Sequence, residues 1–247
     1  MKRVKLFEDF IIEGVYDPGI LKAFFMAGGP GSGKSYVADE IFGFNGDNIQ
    51  TVSYATGLKL VNNDNAFERE LKKAGYDPGK LGEYADDQEV WADVMTLRNK
   101  AKNITKKIQN NYIGGRLGQV IDGTGKNFDK IKGHRQLYKD LGYDTYMVFV
   151  NTSLEVALER NRKRKRVLPD KIVENMWKEV QNNLGHFQKL FGSESMIIVD
   201  NSEFGGDILG QVETMISKRM REPVKNPLGK IWIKEAIAAK QGKNKPM

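Results

Sequence analysis

The segment Gly28-Gly29-Pro30-Gly31-Ser32-Gly33-Lys34-Ser35 constrains this 247-residue chain more than any other. It fits G-x-x-x-x-G-K-[ST], with the apolar run LKAFFMA before it and the helix-like SYVADEIF after it. The spacing has a chemical reason. Glycines let successive backbone N–H groups turn inward around phosphate oxygens, and a helix starting near Gly33 adds the positive end of its dipole. Lys34 then reaches the β- and γ-phosphates of a nucleoside triphosphate, and the Ser35 hydroxyl is placed for Mg²⁺. Strand, glycine turn and helix in that order predict ATP or GTP binding.

The rest of the chain alternates short apolar strings with helix-like stretches. LGQVIDGTG, DTYMVFVNT and SMIIVDNS read as strands, and NIQTVSYA as a second strand or a lead-in. AFERELKKAGY, the long basic DQEVWADVMTLRNKAKNITKKIQNNYIGG, FDKIKGHRQLYKDLGY, SLEVALERNRKRKR (with Ser153 as N-cap) and LPDKIVENMWKEVQNNLGHFQKLFG (with Pro169 near its first turn) read as helices. This alternation predicts an α/β fold, a mostly parallel sheet flanked by helices on both faces. We divide the chain into an N-terminal extension (1–20), a phosphate-loop domain (21–220) and a basic tail (221–247). The tail carries an apolar stripe, Ile231, Trp232, Ile233 and Ile237, which suits either a helix docked on the domain or a segment awaiting a partner.

Charge and composition narrow the classes. A net charge of +7 and a pI near 9.3 favour acidic partners such as nucleotides or nucleic acid. The absence of cysteine excludes disulfides and thiolate chemistry and suits a reducing compartment. Glu8, Asp9 and Glu13 interrupt the apolar start, which is too charged for a signal peptide, and no run is long enough to span a membrane. The expectation is a cytoplasmic protein. His134 and His186 lack metal-ligand spacing, so a surface or packing role is expected for them, and Trp91, Trp177 and Trp232 fall on helical stripes, so core or tail packing is expected there.

Three further segments bear on what is done with the phosphates. In LVNNDNAFERELKK, Asp64 stands just past a possible strand, where a carboxylate can take the proton from an attacking hydroxyl; it can equally be the N-cap of the following helix, as can Asn65. In VIDGTGKN, Asp122 follows a short strand, the place of a carboxylate that contacts hydrated Mg²⁺, and Gly123, Thr124 and Gly125 form a turn open to ligands. In ALERNRKRKR, Arg160, Arg162, Lys163, Arg164, Lys165 and Arg166 lie close together; they form a solvated face, a nucleic-acid patch, or a mobile lid whose guanidinium forks bridge phosphate oxygens.

From about Leu21 to Ser202 the order of these segments resembles the zeta-toxin and polynucleotide-kinase group of P-loop kinases. AGGPGSGKS, VNNDNAF, VIDGTGKN and ERNRKR fall where that group has its phosphate loop, base-bearing segment, third strand and lid. DGTG resembles the zeta-toxin turn, whereas NND and ERNRKR resemble the bacteriophage-type 5′-polynucleotide kinase, which for a phage-encoded chain implies the host cytoplasm. The resemblance implies Asp64 as general base and Arg164 as the lid arginine, with Arg160 and Arg166 as rivals. It further implies a substrate-binding role for Arg98 and Thr124. Phe67 departs from the pattern, because the polynucleotide kinase has an arginine shortly after its base; Arg69 is then the nearest guanidinium.

The resulting expectation is an ATP-dependent, Mg²⁺-assisted kinase acting on a hydroxyl of a nucleic acid, nucleotide or nucleotide-sugar. Lys34 and Arg164 neutralise developing charge and Asp64 takes the proton. An assembly or DNA-acting ATPase is the competing expectation; it needs a water-activating carboxylate, and Asp122 has no second acidic neighbour. A nucleotide-binding module without turnover is the third.

Overall fold

Every residue of Lys22–Ala27 (β1) is buried, as a strand at the centre of a parallel sheet requires. The structure is a computed structural model and describes residues 15–44, 52–53, 56–164, 167–202 and 208–243. Four further strands join β1: Lys59–Val61 (β2), Gln119–Ile121 (β3), Asp144–Asn151 (β4) and Met196–Asp200 (β5). Their order is β2-β3-β1-β4-β5, and every pairing is parallel. The expected parallel α/β sheet is therefore present.

Parallel neighbours require crossovers, and helices supply them. Lys34–Phe42 (α1), Asn63–Lys73 (α2), Gln88–Gly114 (α3), Phe128–Asp140 (α4), Leu154–Arg162 (α5) and Asp170–Phe191 (α6) lie between strands, and Ile208–Arg221 (α7) and Pro227–Lys243 (α8) follow β5. The period of two along β1 divides the core. Phe24 and Met26 face a cluster with Val37 and Phe42 of α1 and Ile216 of α7. Phe25 and Ala27 face the other layer, with Tyr138 of α4, Phe187 and Phe191 of α6, and Trp232 and Ile233 of α8. Burying each such phenylalanine contributes about 1.5–3 kcal/mol, so the two layers fix the sheet firmly. Phe67 and Leu71 of α2 close a third cluster against Val94 and Ala101 of α3.

Several boundaries differ from expectation. The second strand is Lys59–Val61, and Val52 adds only an isolated antiparallel bridge to Lys59; residues 48–51 and 54–55 of NIQTVSYA lie outside the described residues. The basic run is not one helix. α5 ends at Arg162, leaving Lys163 as its C-cap and Arg164 in the following turn, while Lys165 and Arg166 lie outside the described residues. α7 was not anticipated, although Val212 and Ile216 on one face do carry an i, i+4 signal.

Of the tail stripe, Trp232 and Ile233 pack on the second layer, whereas Ile231 is exposed, and the start of α8 is tied to the domain by hydrogen bonds. The Asp144 carboxylate, at the start of β4, accepts from Lys22 Nζ at 3.0 Å and from the backbone N–H groups of Lys225 and Asn226 just before α8. Asn226 Nδ2 donates to the carbonyls of Lys139 and Tyr143. Gly229 approaches so closely that a Cβ there would meet the Gly142 carbonyl oxygen at 2.2 Å. Among the described residues no helix is long and apolar enough to cross a membrane.

Candidate active site

The carboxyl ends of β1 and β3 lie side by side at the point where the chain crosses from one half of the sheet to the other, which is where α/β folds bind ligands. After β1 the loop Gly28–Lys34 turns into α1. The Gly28 N–H donates to the Thr124 carbonyl at 3.1 Å, tying this loop to the turn after β3. Gly31 has φ 75° and presses on α5: a Cβ at Gly31 would lie 2.2 Å from the Ala157 carbonyl oxygen. Gly33 caps α1 in the left-handed region without a side-chain hydrogen bond, so the first N–H groups of that helix face the cavity unclaimed by a side chain. From β5, Asn201 Nδ2 donates to the Ser32 carbonyl at 2.8 Å and steadies the loop from behind.

A cavity of about 480 Å³ opens in front of the loop. Gly28 to Ser35 line it, together with Asp64 of α2, Arg98 of α3 and Asp122 and Thr124 after β3, and Arg160 and Arg164 from the α5 side. Lys34, Arg98, Arg160 and Arg164 bring four positive charges against two carboxylates, a surplus that suits a polyanion.

The carboxylates are held differently. Asp122 forms an ion pair with Lys34 through Oδ1, and its Oδ2 accepts from Asn62 Nδ2 at 2.9 Å. Asn62 in turn is the N-cap of α2, its Oδ1 accepting from the Asp64 N–H at 2.6 Å. Neither Asp64 nor Asn65 is the cap, and the Asp64 carboxylate stands exposed at the first turn, facing the cavity. Asn62 thus ties the two acids of the site together, an arrangement that sequence reading missed. An asparagine directly after a strand and before helix-forming residues was the available signal.

On the α2–α3 side Arg98 of α3 stacks over the Phe67 ring, its Cζ 6.0 Å from the centroid. The aromatic that breaks the resemblance at α2 therefore supports a guanidinium delivered from the neighbouring helix. Arg69 is placed elsewhere. Its Nε is 3.9 Å from Glu70, and it does not line the cavity. On the lid side Arg160 lies against the loop, its Nη1 3.5 Å from where a Cβ of Gly33 would be, and burial pulls its pKa below the ordinary guanidinium value. Arg164 is exposed at the cavity wall, whereas Arg162 pairs with Asp170 and Lys163 with Glu159. Leu168 and Met176 also line the cavity and had no sequence signal of their own.

For a divalent cation the oxygen donors at the loop are the Ser35 hydroxyl and Asp122. Among the described residues no group of three or more His, Cys, Asp and Glu side chains is assembled for a metal. That donor set fits Mg²⁺ carried in with phosphates, since this ion keeps waters and takes few protein ligands. His186 packs on the Phe128 ring, and Trp177 Nε1 donates to the Thr152 carbonyl at 2.8 Å. His134 does not sit at the loop; it lines a neighbouring cavity.

The profile of an AAA domain family, AAA_33, matches residues 24–185, well over half of the chain. The chain belongs to this family. No curated protein matches it significantly. Among solved structures, the AAA_33 chain is similar to the AvrRxo1-ORF1:AvrRxo1-ORF2 complex with ATP, at 15% identity and a TM-score of 0.53, covering 87% of this chain and 69% of that one. It is also similar to the PezAT toxin–antitoxin system of Streptococcus pneumoniae (14% identity, TM-score 0.45, 81% and 87% covered). A gluconokinase from Sinorhizobium meliloti 1021 gives 13% identity and a TM-score of 0.45, with 81% and 94% covered. At such identities the likeness concerns the fold, which is of the P-loop kinase type.

Proposed function

We propose that this protein is an ATP-dependent kinase that transfers the γ-phosphoryl group to a hydroxyl of a nucleotide, nucleotide-sugar or nucleic acid. One observation carries the reading: a single cavity joins the phosphate loop, an exposed Asp64 whose carboxylate is not spent on capping α2, and arginines from α3 and the α5 side. Hydrolysis alone needs no acceptor-side guanidinium, and Arg98 provides one. The structural likeness to a complex that contains ATP supports ATP as donor.

Each residue has a task in this reading. Lys34 exchanges its Asp122 partner for the β- and γ-phosphates when nucleotide arrives. Backbone N–H groups of Gly31 to Ser35 hold the phosphates at the positive end of α1. Mg²⁺, when bound through Ser35 and near Asp122, neutralises phosphate charge. Arg164 and Arg160 offer planar forks to oxygens on which charge develops. Asp64 accepts the proton of the attacking hydroxyl, and Arg98 orients the acceptor.

The test is incubation with γ-labelled ATP and Mg²⁺ against two panels, 5′-hydroxyl oligonucleotides and nucleotides with nucleotide-sugars. Label on any acceptor supports the reading. Release of free phosphate with no labelled acceptor in either panel contradicts it and favours an ATPase.

A further inference from the structure

Beside the phosphate-loop cavity lies a second one of about 650 Å³, between α3 and α4, above the ends of β1 and β3. Asp122 and Thr124 line both, so the two spaces share a wall. A molecule in the second cavity would abut the Asp122–Thr124 turn that also bounds the phosphate-loop cavity. Its floor is apolar: Phe25, Ile113, Ile121 and Ile131 line it, and Leu137 keeps 49% of its surface exposed there. Amides of Gln109, Asn110 and Asn127 are interspersed with that floor.

The rim is basic. Lys102 and Lys106 lie one turn apart on α3, and Lys126 and Lys130 face them from the start of α4. None of the four has an ion-pair partner among the described residues. By contrast Lys100, on the same helix, is taken up by Glu70 at 2.8 Å. Asp122 is the one acidic lining residue, and Lys34 already engages it. The positive end of α4 opens on the same space, with Gly125 to Asn127 in its wall. Burial, and to a lesser degree the nearby Lys130, hold the His134 pKa below its ordinary value, which favours the uncharged imidazole beside the lysines.

We propose that this second cavity is the acceptor pocket and takes a small phosphorylated ring compound, a nucleoside phosphate in the simplest case. The proposal rests on the kinase reading above for the word acceptor, but not for the binding. A volume of this order matches a drug-sized ligand, an apolar floor with scattered amides receives a ring bearing heteroatoms, and lysines in two facing pairs receive phosphate. The ring lies against Phe25 and Ile131, the phosphate lies among the lysines, and a free hydroxyl points past Thr124 to Asp64. A nucleic-acid strand would need an open basic groove instead of an apolar floor.

The experiment is a calorimetric titration of the full chain, its phosphate loop saturated with a non-hydrolysable ATP analogue and Mg²⁺, with guanosine and uridine monophosphates. The expected result is one further site per chain. Lys106→Glu combined with Lys130→Glu should weaken that site about a hundredfold or more, each lost charge-assisted contact being worth about 1.5 kcal/mol or above, and leave binding of the ATP analogue unchanged. Ile131→Trp, which fills the floor, should abolish the second site while the melting temperature is retained. Absence of a second site, or a second site indifferent to both variants, overturns the proposal. So does tighter binding of a 5′-hydroxyl oligonucleotide than of either monophosphate, with the same loss on charge reversal. Label transfer to some acceptor that persists unchanged in the variants sinks the pocket and spares the kinase reading. Monophosphate binding as described, without transfer of label to anything, supports the pocket and sinks the kinase reading.

Discussion

Replacing Gly31 by alanine tests whether the phosphate loop rests directly on the lid helix. Gly31 has φ 75°, and placing a Cβ in that left-handed conformation costs about 1–2 kcal/mol. The new Cβ would also lie 2.2 Å from the Ala157 carbonyl oxygen and 2.8 Å from the Ala157 Cα, so the backbone of loop or helix must shift. Overpacking of that kind costs about 1–3 kcal/mol more, for a total of about 2–5 kcal/mol. A kilocalorie moves the Tm of a chain this size by about 2–4 °C, so the expected loss is about 4–20 °C. Gly75→Ala is the control. Gly75 has φ 85° but nothing within 4 Å of its Cβ position, so that variant bears only the conformational cost. Thermal melts of both proteins, with and without an ATP analogue, separate the effects. Gly31→Ala should lose more stability than Gly75→Ala and should also lose its nucleotide-induced rise in Tm, because α5 carries Arg160. Equal losses for the two variants, each with the nucleotide effect intact, would refute the packing of loop on helix.

Three further outcomes are expected. Asn62→Ala removes the α2 cap and the hydrogen bond to Asp122, so it should cost about 1 kcal/mol in a melt and lower phosphoryl transfer more than it lowers ATP affinity. Asp144→Ala strands Lys22, whose side chain is 2% exposed, and frees the turn before α8; unfolding measurements should show a loss of about 3–5 kcal/mol, and hydrogen exchange in α8 should accelerate. Glu70, buried between α2 and α3, is held below its ordinary carboxylate value chiefly by its hydrogen bond from Lys100, against the opposing pull of burial. A lowered folded-state pKa means stability that is full above the unfolded value of 4.5 and lost as pH falls through the folded one. Glu70→Gln should therefore be less stable than wild type at neutral pH, and the gap should narrow in melts taken progressively below pH 4.5.

What the sequence conveyed well was chemistry tied to local spacing. The phosphate loop is a contiguous run whose glycines, lysine and serine each answer a backbone or ligand requirement, and its strand and helix fall where the apolar pattern placed them. Asp64 and Asp122 were legible because carboxylates just beyond short strands gather at one edge of a parallel sheet. What sequence could not convey was which way a side chain turns. The basic residues of α3 look alike on paper, yet the fold sends Arg98 to the loop, Lys100 to Glu70, and Lys102 and Lys106 to the second cavity. Only the helical phase relative to α2 and α4 decides that. The lid arginines were blurred for the opposite reason: a dense run of good helix formers reads as one helix, whereas α5 stops at Arg162 and Asn161 turns back to bond the Leu168 carbonyl at 2.7 Å. Asn201 is 169 residues from Ser32, so its hold on the loop depends wholly on β5 lying beside β4.

In the kinase reading we propose, Asp64 serves as the base in phosphoryl transfer and takes no part in holding nucleotide. The direct measurement is single-turnover transfer of the γ-phosphate of ATP to the best acceptor by wild type and by Asp64→Asn, with ATP affinity measured on the same samples. Removing a general base should slow transfer by about 10²–10⁴-fold while ATP affinity and Tm stay unchanged. Transfer at the wild-type rate in Asp64→Asn would contradict the assignment.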